Sequence, residues 1–157
     1  MKLNDKSLLK TRALIDGQWQ ESDEGLTLPV KNPATAKIIA EVSKIGVNQT
    51  RQAIEAADRA MSDWSQISAK ERANILKGWF NLMLEHKEDL AQIMTAEQGK
   101  VLNESRGEIL YGAAFIEWFA EQAKRIDGDI IPAPSSDKRI MCIKQPVGVV
   151  GAITPWN

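Results

Sequence analysis

The chain is poor in the residues from which small redox or metal sites are built. It holds one cysteine, Cys142, so no disulfide can form within it, which fits a reducing compartment. Its single histidine, His86, lies far from Cys142 along the chain, and a His/Cys metal site has no support. It falls between Glu85 and Lys87 and reads as a solvated residue at a helix junction. No apolar run reaches the roughly 20 residues that cross a bilayer. Residues 2–6 are too polar for the apolar stretch of a secretory signal. Neither sign of charge dominates: 20 Lys and Arg stand against 21 Asp and Glu, for a net charge of -1. That balance removes the electrostatic reason to expect nucleic acid or an anionic membrane as partner. The expectation is a soluble, cytoplasmic protein with no metal, no nucleic-acid partner and no membrane partner.

What is present suffices for one core, since 43% of the 157 residues are hydrophobic. The first third reads as strands and turns. Residues 12–15 and 18–20 flank Asp16-Gly17, a dipeptide that tolerates positive φ at both turn positions and so signals a hairpin. Residues 26–31 and 38–42 form a second candidate pair around Asn32-Pro33-Ala34-Thr35, where proline suits a turn better than a ladder.

The middle is helical. Ala53, Ile54, Ala57, Ala60, Met61 and Trp64 recur at helical spacing over residues 48–64. Ser68 with Glu71 is a capping box that opens a second helix, bearing Ile75, Leu76, Trp79, Phe80, Leu82 and Met83. A third helix, with Leu90, Ile93 and Met94, is expected to stop at Gly99, and a long amphipathic stretch covers residues 101–126. Trp64, Trp79 and Trp118 lie on the apolar faces and read as core. Glu104, Arg106 and Glu108 read as a solvated helix face, and Lys100 as a helix-end cation.

Strands return at the end. Asp127-Gly128 opens a short segment, and residues 132–136 form a loop. Residues 139–144 alternate with a period of two, which places Cys142 in a strand as a small structural hydrophobe. Residues 147–153 are apolar on both faces, the pattern of a buried parallel strand. Gly148 and Gly151 lack the spacing of a dinucleotide fingerprint. A parallel strand needs neighbours and a crossover helix, and none follows, so the chain reads as the opening of a larger α/β domain.

The run Gln145-Pro146-Val147-Gly148-Val149-Val150-Gly151-Ala152-Ile153-Thr154-Pro155-Trp156-Asn157 resembles the first cofactor-domain strand and following loop of the aldehyde dehydrogenase superfamily. Ile15-Asp16-Gly17-Gln18-Trp19, Asn32-Pro33-Ala34-Thr35 and Glu97-Gln98-Gly99-Lys100, followed by Glu104, match in the family's order. Residues 69–72, 79–83 and 115–121 look most like succinate-semialdehyde dehydrogenases. The implied fold is α/β but incomplete. It has N-terminal β-hairpins and helices (residues 1–126), an oligomerisation-type strand segment (127–146), and the first strand and loop of the dinucleotide-binding core (147–157).

The resemblance implies that Asn157 donates its side-chain amide to the aldehyde oxygen, and that Ile153, Thr154, Pro155 and Trp156 line an NAD or NADP cofactor. An amide NH₂ suits that role because it remains a donor at any working pH. The implied reaction oxidises an aldehyde, succinate semialdehyde by the subfamily match, through a cysteine thiohemiacetal in a homo-oligomeric enzyme. The family's nucleophilic cysteine, general-base glutamate and glycine-rich phosphate turn have no counterpart among these residues, so the chain alone is expected to be inactive. The alternative is a non-catalytic fragment with a structural or self-associating role.

Overall fold

A computed structural model of the chain describes residues 1–155. β1 (Ala13–Ile15) and β2 (Gln18–Gln20) pair antiparallel around Asp16 and Gly17, whose φ angles of 50° and 73° are those the tight turn demands. β3 (Thr27–Lys31) and β4 (Ile38–Ser43) form the second hairpin, with an irregularity between Val30 and Lys31. Its connection is organised by Asn32, whose Oδ1 accepts from the amides of Ala34 (2.9 Å) and Thr35 (3.1 Å). The Ser43 amide donates to the Thr11 carbonyl at 2.8 Å and joins this hairpin to the chain entering β1.

Four helices follow. α1 (Val47–Gln66) is tied to the chain before it by Gln49, which accepts from the Asp23 amide at 3.0 Å and donates to the Glu21 carbonyl at 2.8 Å. α2 (Ala69–Glu85) begins at the expected capping box. The Glu71 amide donates to Ser68 Oγ, and the Ser68 amide donates back to Glu71 Oε2 at 2.8 Å. His86 closes α2 and opens α3 (Lys87–Gln98), as expected of a junction residue. α3 ends at Gly99, which takes the left-handed conformation (φ 82°) and donates its amide to the Thr95 carbonyl. α4 (Leu102–Gln122) packs against both α2 and α3 and continues into a 3₁₀ turn over Ala123–Arg125.

The core is built from small side chains. Ala73, Ala91, Ala113 and Ala120 are buried with Ile109, while Ser105, wholly buried on α4, shares a 2.8 Å hydrogen bond with Thr95 on α3. Small residues let helix axes approach closely, while Tyr111, Phe115, Trp118 and Phe119 of α4 stand exposed.

Three expectations about burial therefore need correcting. Trp64, Trp79 and Trp118 lie on the apolar faces but are 42%, 56% and 61% exposed, because nothing among the described residues covers those faces. Cys142 is exposed on β6 (Ile140–Cys142), which among the described residues pairs with β5 (Asp129–Ile131) alone, so it does not act as a packed hydrophobe. Residues 147–153 form no strand. Val147 and Ile153 stand fully open to solvent, and a two-faced apolar strand has no ladder or covering helix to join here. Among the described residues, no helix is long and apolar enough to cross a membrane.

Candidate active-site and cofactor segment

The implied site residues are consecutive and follow the β5–β6 hairpin. Ile153, Thr154 and Pro155 are exposed; Trp156 and Asn157 lie outside the described residues. Ile153 to Pro155 offer an exposed apolar side chain, a hydroxyl and backbone groups, with no cation among them. Such a strip can line a ring or a ribose, but it cannot by itself neutralise the phosphates of a dinucleotide. A cavity of about 650 Å³ lies upstream, lined by Trp64, Arg72, Lys124, Lys144 and Pro146 among others and by none of residues 153–155.

Two of the upstream matched motifs, residues 32–35 and 97–100, are brought together. The turn at residues 32–35 meets the end of α3 so closely that a Cβ on Gly99 would lie 2.8 Å from Pro33 Cγ. Glu97, just before it, is pushed above the usual carboxylate range by burial. Lys100 is not merely a helix-end cation: its Nζ lies 2.8 Å from Glu108 Oε2, and both side chains are largely covered.

Nor do Glu104, Arg106 and Glu108 form one solvated face. Glu104 is exposed, Glu108 takes Lys100, and Arg106 reaches across to α3. There its Nε and Nη2 donate to the two carboxylate oxygens of Glu88 at 2.8 Å each. These hydrogen bonds are the main cause that holds the Glu88 carboxyl below its ordinary value. Alternate residues of a helix point to different sides, so spacing of two along α4 was itself a signal against a common face.

One feature escaped the sequence reading as a site. Tyr111, Phe115, Trp118 and Phe119 lie exposed along α4 and line a shallow groove, with the Tyr111 and Phe115 rings edge to face at 4.9 Å. Their spacing of three and four residues was the available signal, and of the four only Trp118 was singled out, as core.

Comparison with known proteins places this arrangement. The model of the aldehyde dehydrogenase family matches residues 19–157, and the chain belongs to that family. Over its whole length it is 55% identical to the NADP(+) succinate-semialdehyde dehydrogenase of Escherichia coli (strain K12), covering 33% of that protein. It is likewise 56% identical to the glutarate-semialdehyde dehydrogenase of Pseudomonas aeruginosa, covering 32% of it. The crystal structure of succinate-semialdehyde dehydrogenase from Burkholderia pseudomallei superposes with a TM-score of 0.97 at 49% identity, over 99% of this chain and 32% of that one. The chain therefore spans about a third of the length of the curated relatives it matches. Its mixed helix-and-strand architecture is the N-terminal part of the family's fold, as expected.

Proposed function

We propose that the chain forms the first third of an NAD(P)-dependent aldehyde dehydrogenase that oxidises a short semialdehyde bearing a distal carboxylate, succinate semialdehyde above all. The observation that carries this reading is identity above one half, over all 157 residues, to two semialdehyde dehydrogenases.

In this proposal the Asn157 amide donates a hydrogen bond to the aldehyde oxygen as a cysteine thiolate, supplied by residues beyond these, attacks the carbonyl carbon. Negative charge grows on that oxygen, so a fixed donor stabilises the transition state more than the ground state. Ile153, Thr154, Pro155 and Trp156 form one wall against the cofactor and keep water from it. The bound NAD(P)⁺ supplies the hydride acceptor. Residues 1–126 are the hairpin and helical part of the cofactor-binding domain, residues 127–146 form the segment through which subunits associate into a homo-oligomer, and the working compartment is the cytoplasm.

The test is a chimera in which this chain replaces the matching first third of the Escherichia coli relative. Reduction of NADP⁺ by the chimera is measured with succinate semialdehyde, glutarate semialdehyde and an uncharged aldehyde of equal length. Preference for the two carboxylate-bearing aldehydes is expected. A folded chimera that turns over none of the three, or prefers the uncharged one, would overturn the reading.

A second reading has its own observation. The β5–β6 hairpin is exposed throughout, with Ile130 at 81%, Met141 at 76% and Ile143, just beyond it, at 72%. An open edge with apolar residues pairs readily with another chain, so the 157-residue chain could act as a self-associating, non-catalytic piece. Light scattering separates the two: a clean monomer argues against the self-associating role.

A further inference from the structure

The N-terminal residues are not a loose tail. Four hydrogen bonds tie residues 2–5 to α3, and three of them end on one carboxylate. Asp89 Oδ1 accepts from the Asn4 amide at 2.9 Å and from Asn4 Nδ2 at 3.2 Å, while Oδ2 accepts from the Asp5 amide at 2.8 Å. The fourth runs from the Lys2 amide to Gln92 Oε1 at 2.9 Å, one turn further along the same helix face. Asp89 is only 3% exposed, so its charge is satisfied by these donors and not by bulk water. It sits in the first turn of α3, whose cap residue His86 makes no side-chain capping bond. A carboxylate there also complements the positive end of the helix.

The segment so held has a defined extent. Asp5 turns the chain into a short 3₁₀ helix over Lys6–Leu8 by accepting the Ser7 amide at 2.8 Å. The chain rejoins the sheet only at Thr11, whose carbonyl accepts from Ser43. None of the buried apolar residues (Ile15, Ala56, Ala73, Ala91, Ile109, Ala113 and Ala120) belongs to residues 1–12. Leu3, Leu8 and Leu9 are half-buried, so the segment packs along the edge of the core without contributing a fully buried residue. Fixed at a buried acceptor, it is suited to open locally without unfolding the remainder.

We propose that residues 2–9 form a strap clasped by the Asp89 carboxylate, and that breaking this clasp releases the strap as one unit while the α2–α4 helical layer stays folded. The chemistry requires a carboxylate. It is acceptor-only and can take donors on both oxygens, whereas an amide in its place turns one acceptor into a donor facing a backbone N–H. Alanine removes every acceptor and leaves the Asn4 and Asp5 amides without partners.

Hydrogen exchange read by mass spectrometry on the 157-residue chain tests this. In Asp89→Asn and Asp89→Ala, peptides covering residues 2–9 should exchange at least tenfold faster than in the parent, while peptides from α2 and α4 change less than twofold. Gln92→Ala, which loses one of the four bonds, should give a smaller acceleration confined to the first residues. Unchanged exchange in residues 2–9 would overturn the clasp. Loss of protection in α4 together with the strap would overturn its independence. Should neither Asp89 variant fold, a chain lacking residues 1–5 decides: retained α4 protection supports a separable strap, and collapse contradicts it.

Discussion

Replacing Gly99 with alanine should destabilise the chain by roughly 2–5 kcal/mol, through two separable causes. The first is conformational. Gly99 sits at φ 82° and ψ 5°, and an L side chain in the left-handed region costs about 1–2 kcal/mol. The second is steric. The new Cβ would lie 2.8 Å from Pro33 Cγ, a ring carbon that can yield only by repuckering or by moving the turn at residues 32–35. Forcing a methyl into such a contact costs about 1–3 kcal/mol. Urea unfolding followed by circular dichroism measures the sum as a drop in midpoint at unchanged slope. Two further variants divide it. Gly99→Asn should recover most of the conformational share, because asparagine tolerates this region, and should keep the clash. Pro33→Ala in the Gly99→Ala background should restore the steric share, giving a coupling of about 1–3 kcal/mol in the double-mutant cycle. Stability of Gly99→Ala within about 0.5 kcal/mol of the parent would refute the reasoning. So would a cycle with no coupling, for then the contact with Pro33 carries no strain.

Ser68→Ala, which removes the acceptor for the Glu71 amide, should cost about 1 kcal/mol in the same unfolding assay. Glu88 has its carboxyl lowered by Arg106, so the stability it lends is full above its ordinary value of 4.5 and is lost as pH falls through the lower folded value. The gap between parent and Arg106→Ala should accordingly be open at pH 7 and close on acidification; a gap independent of pH would count against the ion pair. Glu97 runs the other way, since burial raises its carboxyl and the group opposes folding once ionised. Glu97→Gln should stabilise the chain at pH 7 and make little difference below pH 4.5, with thermal midpoints at the two pH values as the check. The 157-residue chain, purified alone, should produce no NADPH from succinate semialdehyde, and robust turnover would contradict the proposed division of labour.

How far the sequence could be read depended on the range of the forces involved. Asp16-Gly17, the Ser68–Glu71 box and Gly99 were legible because each satisfies a backbone requirement within a few residues of itself. Periodicity marks apolar stripes on α1, α2 and α4 but not whether anything covers them, and Trp64, Trp79 and Trp118 were misassigned for that reason. Residues 147–153 carry a strand's pattern, yet a strand exists only with hydrogen-bonded neighbours, which are a property of the assembled sheet. Arg106 with Glu88 and Asp89 with Asn4 were invisible, because they join residues 18 and 85 positions apart. Asn157 was legible as a candidate donor by resemblance alone. An asparagine after Pro-Trp states no chemistry until a reacting oxygen stands before it.

The most direct test of the central claim is the Asn157→Ala substitution in the chimera with the Escherichia coli relative, assayed at saturating succinate semialdehyde and NADP⁺. If Asn157 stabilises the developing oxyanion, kcat should fall by about 10²–10³ while the affinity for NADP⁺ stays near that of the unsubstituted chimera. A kcat within a few-fold of the unsubstituted chimera would contradict the role assigned to Asn157, and with it the proposal that this chain supplies a catalytic group.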